Sequence, residues 1–289
     1  FHEVDMAFID REVSAQDGRP ALLVEFFRTG LTWYYTNVET NLTFNANTYI
    51  KAPISMSAVI QSGEPEAEDV SFTLPTGLDI TTYMDARIPS EEVFVRARKI
   101  HLDESPSQVI TAPGLVVDAP VIYIGSIHTI RRPTLSSRVF VCRSLTSSMS
   151  RNGLRLTWSR GCPHVHFGRG CNLNKLDYDV AIPSITVVNG VTLSSSVFDT
   201  FADGYFSNGF LEWTPQVGVT ERIGIESHVG AVVTVMGLTL GITGGQAMTA
   251  FPGCNRTPTV CDTTFGNILN YGGINHLQGK SPFDGSPVF

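Results

Sequence analysis

The chain has 289 residues, enough to bury a sizeable core and to hold two domains. Charged residues are 16%, below the usual quarter, and 26 Gly with 16 Pro make it rich in turns. An odd count of five cysteines in a chain this long is not the pattern of a small secreted disulfide scaffold.

The net charge of −7 conceals a split along the chain. Residues 1–130 carry 8 Lys+Arg against 18 Asp+Glu, residues 131–175 carry 9 and none, and residues 176–289 carry 3 against 9. The basic block suits a solvated face, an acidic partner subunit or phosphate contact. It lacks the interleaved aromatics of a nucleic-acid surface, so specific nucleic-acid recognition is not expected.

The start, Phe1-His2-Glu3-Val4-Asp5, is acidic and unlike the basic leader of a signal peptide. Residues 21–27, 31–35, 42–44 and 49–50 read as strands, aromatic and β-branched between Gly and Asn turns. Glu64-Pro65-Glu66-Ala67-Glu68-Asp69 reads as a solvated acidic loop. Residues 70–74 alternate cleanly, 78–87 hold one short helix, and 92–100 form another strand. Residues 103–118 are a Ser/Pro-rich hairpin loop. Strands 121–130 and 138–142 then close the first domain, with Cys142 as a packed free thiol. No helical period runs beyond about two turns, so the class is all-β, and residues 1–145 form a barrel or a sandwich.

Residues 146–175 lead out of that domain. Residues 176–250 read as a small inserted β-domain, with strands at 184–188, 191–193, 209–213, 222–226, 231–235 and 238–240. Residues 227–255 contain no Asp, Glu, Lys or Arg, long enough to raise a membrane span. Six glycines, several Thr and a Pro break that run into short strands, so no span is expected. Residues 251–289 carry a cysteine pair and end in a Gly/Pro-rich tail without periodicity.

Four cysteines fall in two pairs. Cys162 and Cys171 lie in Gly161-Cys162-Pro163-His164-Val165-His166-Phe167-Gly168-Arg169-Gly170-Cys171; Cys254 and Cys261 lie in Gly253-Cys254-Asn255-Arg256-Thr257-Pro258-Thr259-Val260-Cys261. Gly and Pro around them allow tight turns that point several side chains at one centre. Arg160, Arg169, Lys175 and Arg256 stand close in sequence, and cations favour the thiolate that binds metal. Four soft ligands in two pairs suggest zinc or an iron–sulfur cluster; two disulfides are the alternative. His164 and His166 are further zinc-ligand candidates, with a supporting or merely solvated role as the other reading.

The second pair is followed by Asp262-Thr263-Thr264-Phe265-Gly266-Asn267-Ile268-Leu269-Asn270-Tyr271-Gly272-Gly273. Cysteine gaps of eight and six, then FGN, then Asn-aromatic-Gly-Gly resemble the phage tail-tip hub family. That family includes the lambda-type tail-tip protein L and the hub protein of gene transfer agents. The 82 residues between Cys171 and Cys254 depart from the lambda-type pattern; the gene-transfer-agent branch has a comparable insertion. The resemblance implies a hub-type β-barrel at residues 1–145 and a 4Fe–4S cluster on Cys162, Cys171, Cys254 and Cys261, with zinc as the alternative. It further implies a homotrimeric ring in the virion's tail tip, or baseplate, assembled in the bacterial host cytoplasm. Its neighbours would be the distal tail protein, the tape measure and the central spike or fibre.

No catalytic residues are expected. His-Glu-x-x-His, Gly-x-Ser-x-Gly and Gly-x-Gly-x-x-Gly are all missing from the sequence. Gly273 to Gly279-Lys280-Ser281 imitates a phosphate loop with one residue too many between its glycines. An iron–sulfur redox protein and a secreted disulfide-bonded carbohydrate-binding module are the competing functions.

Overall fold

The structure, a computed structural model, describes residues 12–13, 20–59, 69–86, 89–102, 109–110, 119–144 and 158–277. The chain divides into two compact units: Phe1–Arg151 with Val217–Val219, and Asn152–Gln216 with Thr220–Phe289. Most of the acidic loop at 64–69, most of the Ser/Pro-rich loop and the tail after Leu277 lie outside the described residues.

The first unit is built on β1 (Pro20–Arg28), β2 (Leu31–Thr36), β3 (Leu42–Phe44), β4 (Asn47–Lys51), β5 (Ser55–Met56), β6 (Val70–Pro75), α1 (Asp79–Ala86), β7 (Phe94–His101), β8 (Val109–Ile110), β9 (Val121–Arg131) and β10 (Ser137–Ser144). The strands make one sheet in the order β5-β6-β10-β9-β7-β1-β2-β4-β3-β8. Its curvature is that of a half-barrel. Among the described residues the hydrogen-bonded order starts at β5 and stops at β8. Two of the pairings, β2 with β4 and β3 with β8, are parallel. Asn45 and Ala46 both have positive φ, the two-residue hairpin geometry that joins β3 to β4.

Period-two alternation makes the core. Val70, Phe72 and Leu74 on β6 point inward, and Phe26 meets Phe72 and Phe140 edge-on at 5.9 and 5.7 Å. Each such side chain fully buried contributes about 1.5–3 kcal/mol. Cys142 belongs to this core, and burial pushes its thiol far up. Among the described residues, part of the basic block is paired with the chain's own acids. Arg132 and Arg138 both hold Asp85 on α1, at 3.1 and 2.9 Å, and Lys175 holds Glu212 at 2.9 Å.

The second unit carries β11 (Val180–Ile182), β12 (Thr186–Val187), β13 (Thr192–Ser194), β14 (Phe210–Gln216), β15 (Val219–Val229), β16 (Val232–Val235), β17 (Met248–Phe251) and the helix α2 (Pro258–Thr263). Its sheet runs β11-β17-β14-β15-β16-β13-β12. Ile182, Phe198, Phe206, Leu211, Trp213, Ile225 and Val233 fill its core. The expected strand at 238–240 is not one. Gly237 at φ +133° turns the chain out of β16, and Thr239 bonds Gly190 and Asn189 while Leu238 and Leu240 face outward. Strands β11 and β17 escaped the sequence reading, because three or four residues between turns carry too little alternation. No helix among the described residues is long and apolar enough to cross a membrane.

Candidate functional site

The two cysteine segments are joined by a short ladder of backbone bonds. The Cys162 N–H donates to Arg256 O at 3.0 Å, and the Ile274 N–H to Ser159 O at 2.9 Å. Within the first segment Phe167, between the two cysteines, and Asn172, directly after Cys171, take positive φ. In the second, Arg256 has φ +62°, and Thr257 then caps α2, its side chain accepting the Val260 N–H, with Pro258 at the first helical position. This cap places Cys261 in α2, while Cys254 stays on the loop before it.

Beneath these loops lies an aromatic layer. Phe167, Tyr178 and Phe265 from the cysteine segments pack with Phe210 of β14 and Phe251 of β17; Phe210 and Phe251 stack at 4.6 Å. Tyr178 donates to the Phe265 carbonyl at 3.1 Å. The cysteine loops are therefore seated on the sheet of their own unit.

Cys162, Cys171, Cys254 and Cys261 all line one cavity, with His164, His166, Asn267, Asn270 and Tyr271. The cavity is small, about 20 Å³. All four are free thiols, so the structure does not pair them as disulfides. Three of the sulfurs accept N–H bonds: Cys254 from Arg256 N at 3.4 Å, Cys162 from Gly272 N at 3.5 Å, and Cys171 from Asn267 Nδ2 at 3.7 Å. Cys261 instead donates its Sγ–H to Asn267 O at 3.3 Å. Burial is the main cause that raises the Cys254 and Cys261 thiols. Charge on Cys171 and Cys162 adds to it at Cys254, and charge on Cys254, Cys162 and Cys171 adds to it at Cys261. Cys254 thus feels the two sulfurs of the first pair, and Cys261 feels the other three.

The cations nearby do less than their sequence positions suggest. Arg160 gives its Nε to Leu277 O at 2.8 Å, Lys175 is paired with Glu212, and Arg169 is exposed. Arg256 is among the causes that pull the Cys254 thiol downward, against its burial. Neutral N–H groups, more than basic side chains, surround the sulfurs.

His164 and His166 both reach the cavity wall. His166 stacks on Phe167 at 3.8 Å and meets Phe265 at 4.8 Å, and burial holds its pKa down to about 4. Among the described residues no group of three or more His, Cys, Asp or Glu is arranged to hold a single metal ion. A zinc site brings four donors to about 2.0–2.3 Å of one centre. A cluster spreads its four thiolates over several irons and asks for no such convergence. The donor set is four thiols round one cavity, with N–H groups aimed at three of them.

Sequence reasoning overlooked the residues that close the site. Tyr271 OH donates to Arg160 O at 2.7 Å and to Arg256 O at 3.2 Å, tying one cysteine loop to the other. Asn267, Tyr271 and Gly272 lie in the run that carried the family resemblance, which marked them as a pattern without a task.

Comparison with known proteins places this region and the fold. Residues 204–281 match the family described as "Phage conserved hypothetical protein BR0599", a stretch that contains Cys254, Cys261 and the run through Gly273. No curated protein matches the chain in sequence. Among solved structures, a chain from the "Virion of native gene transfer agent (GTA) particle" is similar over 98% of this chain and 99% of its own, with a TM-score of 0.74 and 17% identity. At that identity the likeness establishes a shared fold, present from one end of both chains to the other.

Proposed function

We propose that this chain is a structural hub of a phage-type tail tip, present in several copies as a ring that joins the tail tube to a central spike or fibre. The observation that carries the reading is the full-length likeness to a chain of a gene transfer agent virion. The match of residues 204–281 to a phage family supports it independently. In this reading residues 1–145 form the ring. Residues 176–250 are an insertion bracketed by the cysteine segments 146–175 and 251–289. The role is one of assembly, with no catalytic residue, and the partners are copies of the chain, the distal tail protein, the tape measure and the spike.

Within that role Cys162, Cys171, Cys254 and Cys261 would hold a 4Fe–4S cluster. Bound there, the group supplies folding free energy, since the unfolded chain offers no preformed site. The aromatic layer of Phe167, Phe251 and Phe265 backs the loops, and Tyr271 ties them together. Arg256 N, Gly272 N and Asn267 Nδ2 orient three of the sulfurs. The free thiols speak against the disulfide-bonded secreted module.

The test is imaging of particles from a producing strain in which the chain carries a small tag. A ring of tagged copies at the end of the tail is the expected result. A stable monomer that enters no particle overturns the hub reading.

A further inference from the structure

We propose that Asn267 is a positioning residue for the sulfur of Cys171, its amide held in one orientation by Asn270; the inference rests on the cluster reading above. Asn267 is buried, at 7% exposure, so its amide must find partners inside the protein. Its Nδ2 faces Cys171 alone, 2.7 Å from the carbonyl oxygen and 3.7 Å from Sγ. An amide nitrogen only donates, so the group turned toward Cys171 is one that a thiolate accepts better than a thiol does. Its Oδ1 is taken by Asn270 Nδ2 at 2.7 Å. That bond fixes which end of the amide looks at the cysteine: an Asn267 flipped end for end would set two oxygens, Oδ1 and the Cys171 carbonyl, against each other.

The backbone of the same residue holds a second cysteine. The Asn267 N–H donates to Cys261 O at 2.8 Å, a backbone bond that does not need the Cys261 thiol proton. One residue thereby sets the spacing between Cys171, from the first pair, and Cys261, from the second, which have 89 residues between them in sequence. Asp has the same shape but replaces the donor by a charged acceptor facing the carbonyl and sulfur of Cys171. Leu has a similar volume and no donor. Gly272 and Arg256 bond sulfur through backbone N–H groups that most substitutions leave in place. Asn267 is the side chain among the described residues whose donor to a cavity sulfur can be removed by mutation.

The experiment compares full-length wild type, Asn267→Asp, Asn267→Leu and Asn270→Ala, all made and purified without oxygen. Three quantities are read: iron and acid-labile sulfide per chain, the rate of iron loss to an excess of a chelator, and the midpoint potential by spectroelectrochemical titration. Partners of metal ligands typically contribute about 10–100-fold in affinity. Both Asn267 variants should therefore lose iron about 10–100-fold more readily. Their midpoint should also move to more negative potential, because a lost hydrogen bond to sulfur leaves more charge on it. Asn270 is exposed, so Asn270→Ala folds, and it should show the same two changes to a smaller degree. A purely structural role would move thermal stability and leave the potential of the retained cluster where it was. Wild-type potential and iron retention in Asn267→Leu and Asn270→Ala overturn the assignment while leaving the cluster intact. A wild-type chain that takes up no iron overturns the cluster reading and this inference with it.

Discussion

The imidazole of His164 occupies the space that a Cβ on Gly272 would need, with Nε2 as the first atom met. A Cβ on Gly170 would meet the other side of the same ring, 2.5 Å from Nδ1. Two glycines from different cysteine segments therefore hold one ring between them, and neither position tolerates a side chain without moving it.

Gly272→Ala and Gly170→Ala should each cost about 1–3 kcal/mol of stability, as overpacking does. They should also loosen the cavity, because Gly272 N is the donor to Cys162 Sγ. Gly244→Ala is the control, since nothing lies within 4 Å of a Cβ there. Denaturant melts of the three variants check this; equal midpoints for Gly244→Ala and Gly272→Ala would contradict the packing.

Much of the first unit was legible in the sequence. Alternation in Val70-Ser71-Phe72-Thr73-Leu74 gave β6, and the Asn-rich turn between residues 44 and 49 separated β3 from β4, because period two and turn residues are local signals. The pairing of β3 with β8 was not legible, since a two-residue strand carries no pattern of its own. At the candidate site the four cysteines were legible and their surroundings were not. Sequence distance suggested Arg160 and Lys175 as the charges beside the sulfurs, yet both side chains turn to other partners. The donors that do face sulfur are two backbone groups and one amide, which composition does not advertise.

Asp85 sets an acid limit for the first unit. The hydrogen bond from Arg138 is the main cause that holds its carboxyl below the usual range, with Arg138 and Arg132 charges adding to it against some burial. A depressed folded pKa means stability that is fully present above the unfolded value, about 3.9 for Asp, and lost as pH falls through the lower folded value. Asp85→Asn should therefore destabilise at pH 6–7. The gap to wild type should close as pH drops below about 4. Urea midpoints across that range read the effect, and a gap that stays constant to pH 2 would remove Asp85 from the account.

Cys142 should behave unlike the other four cysteines. It is fully buried beside Phe140, Phe72 and Tyr123, and burial pushes its thiol up, so it presents almost no thiolate. In reduced, metal-stripped protein, iodoacetamide should modify Cys162, Cys171, Cys254 and Cys261 and leave Cys142 until the protein unfolds. Cys142→Ser places a hydroxyl in that core and should cost about 1–3 kcal/mol. Mass spectrometry of the labelled peptides decides; labelling of Cys142 at the rate of the others would contradict its burial.

The cysteine pairs bracket an excursion of 82 residues. Closing a loop of that length costs chain entropy that rises with the logarithm of its length. The backbone ladder of Cys162 with Arg256 and Ser159 with Ile274 holds the ends at its base. A cluster on four thiolates would add binding free energy that the unfolded chain cannot match. It must also displace protons from Cys254 and Cys261, whose thiols burial raises, so uptake should weaken as pH falls. Anaerobically purified protein should accordingly be brown, with a broad band near ~400 nm and sulfur-bound iron. Serine at any one of Cys162, Cys171, Cys254 or Cys261 should bleach it and lower the melting temperature of the second unit, while Cys142→Ser keeps its colour. Four irons per chain that survive Cys254→Ser, or uptake that is independent of pH, would show that these four sulfurs are not the ligands.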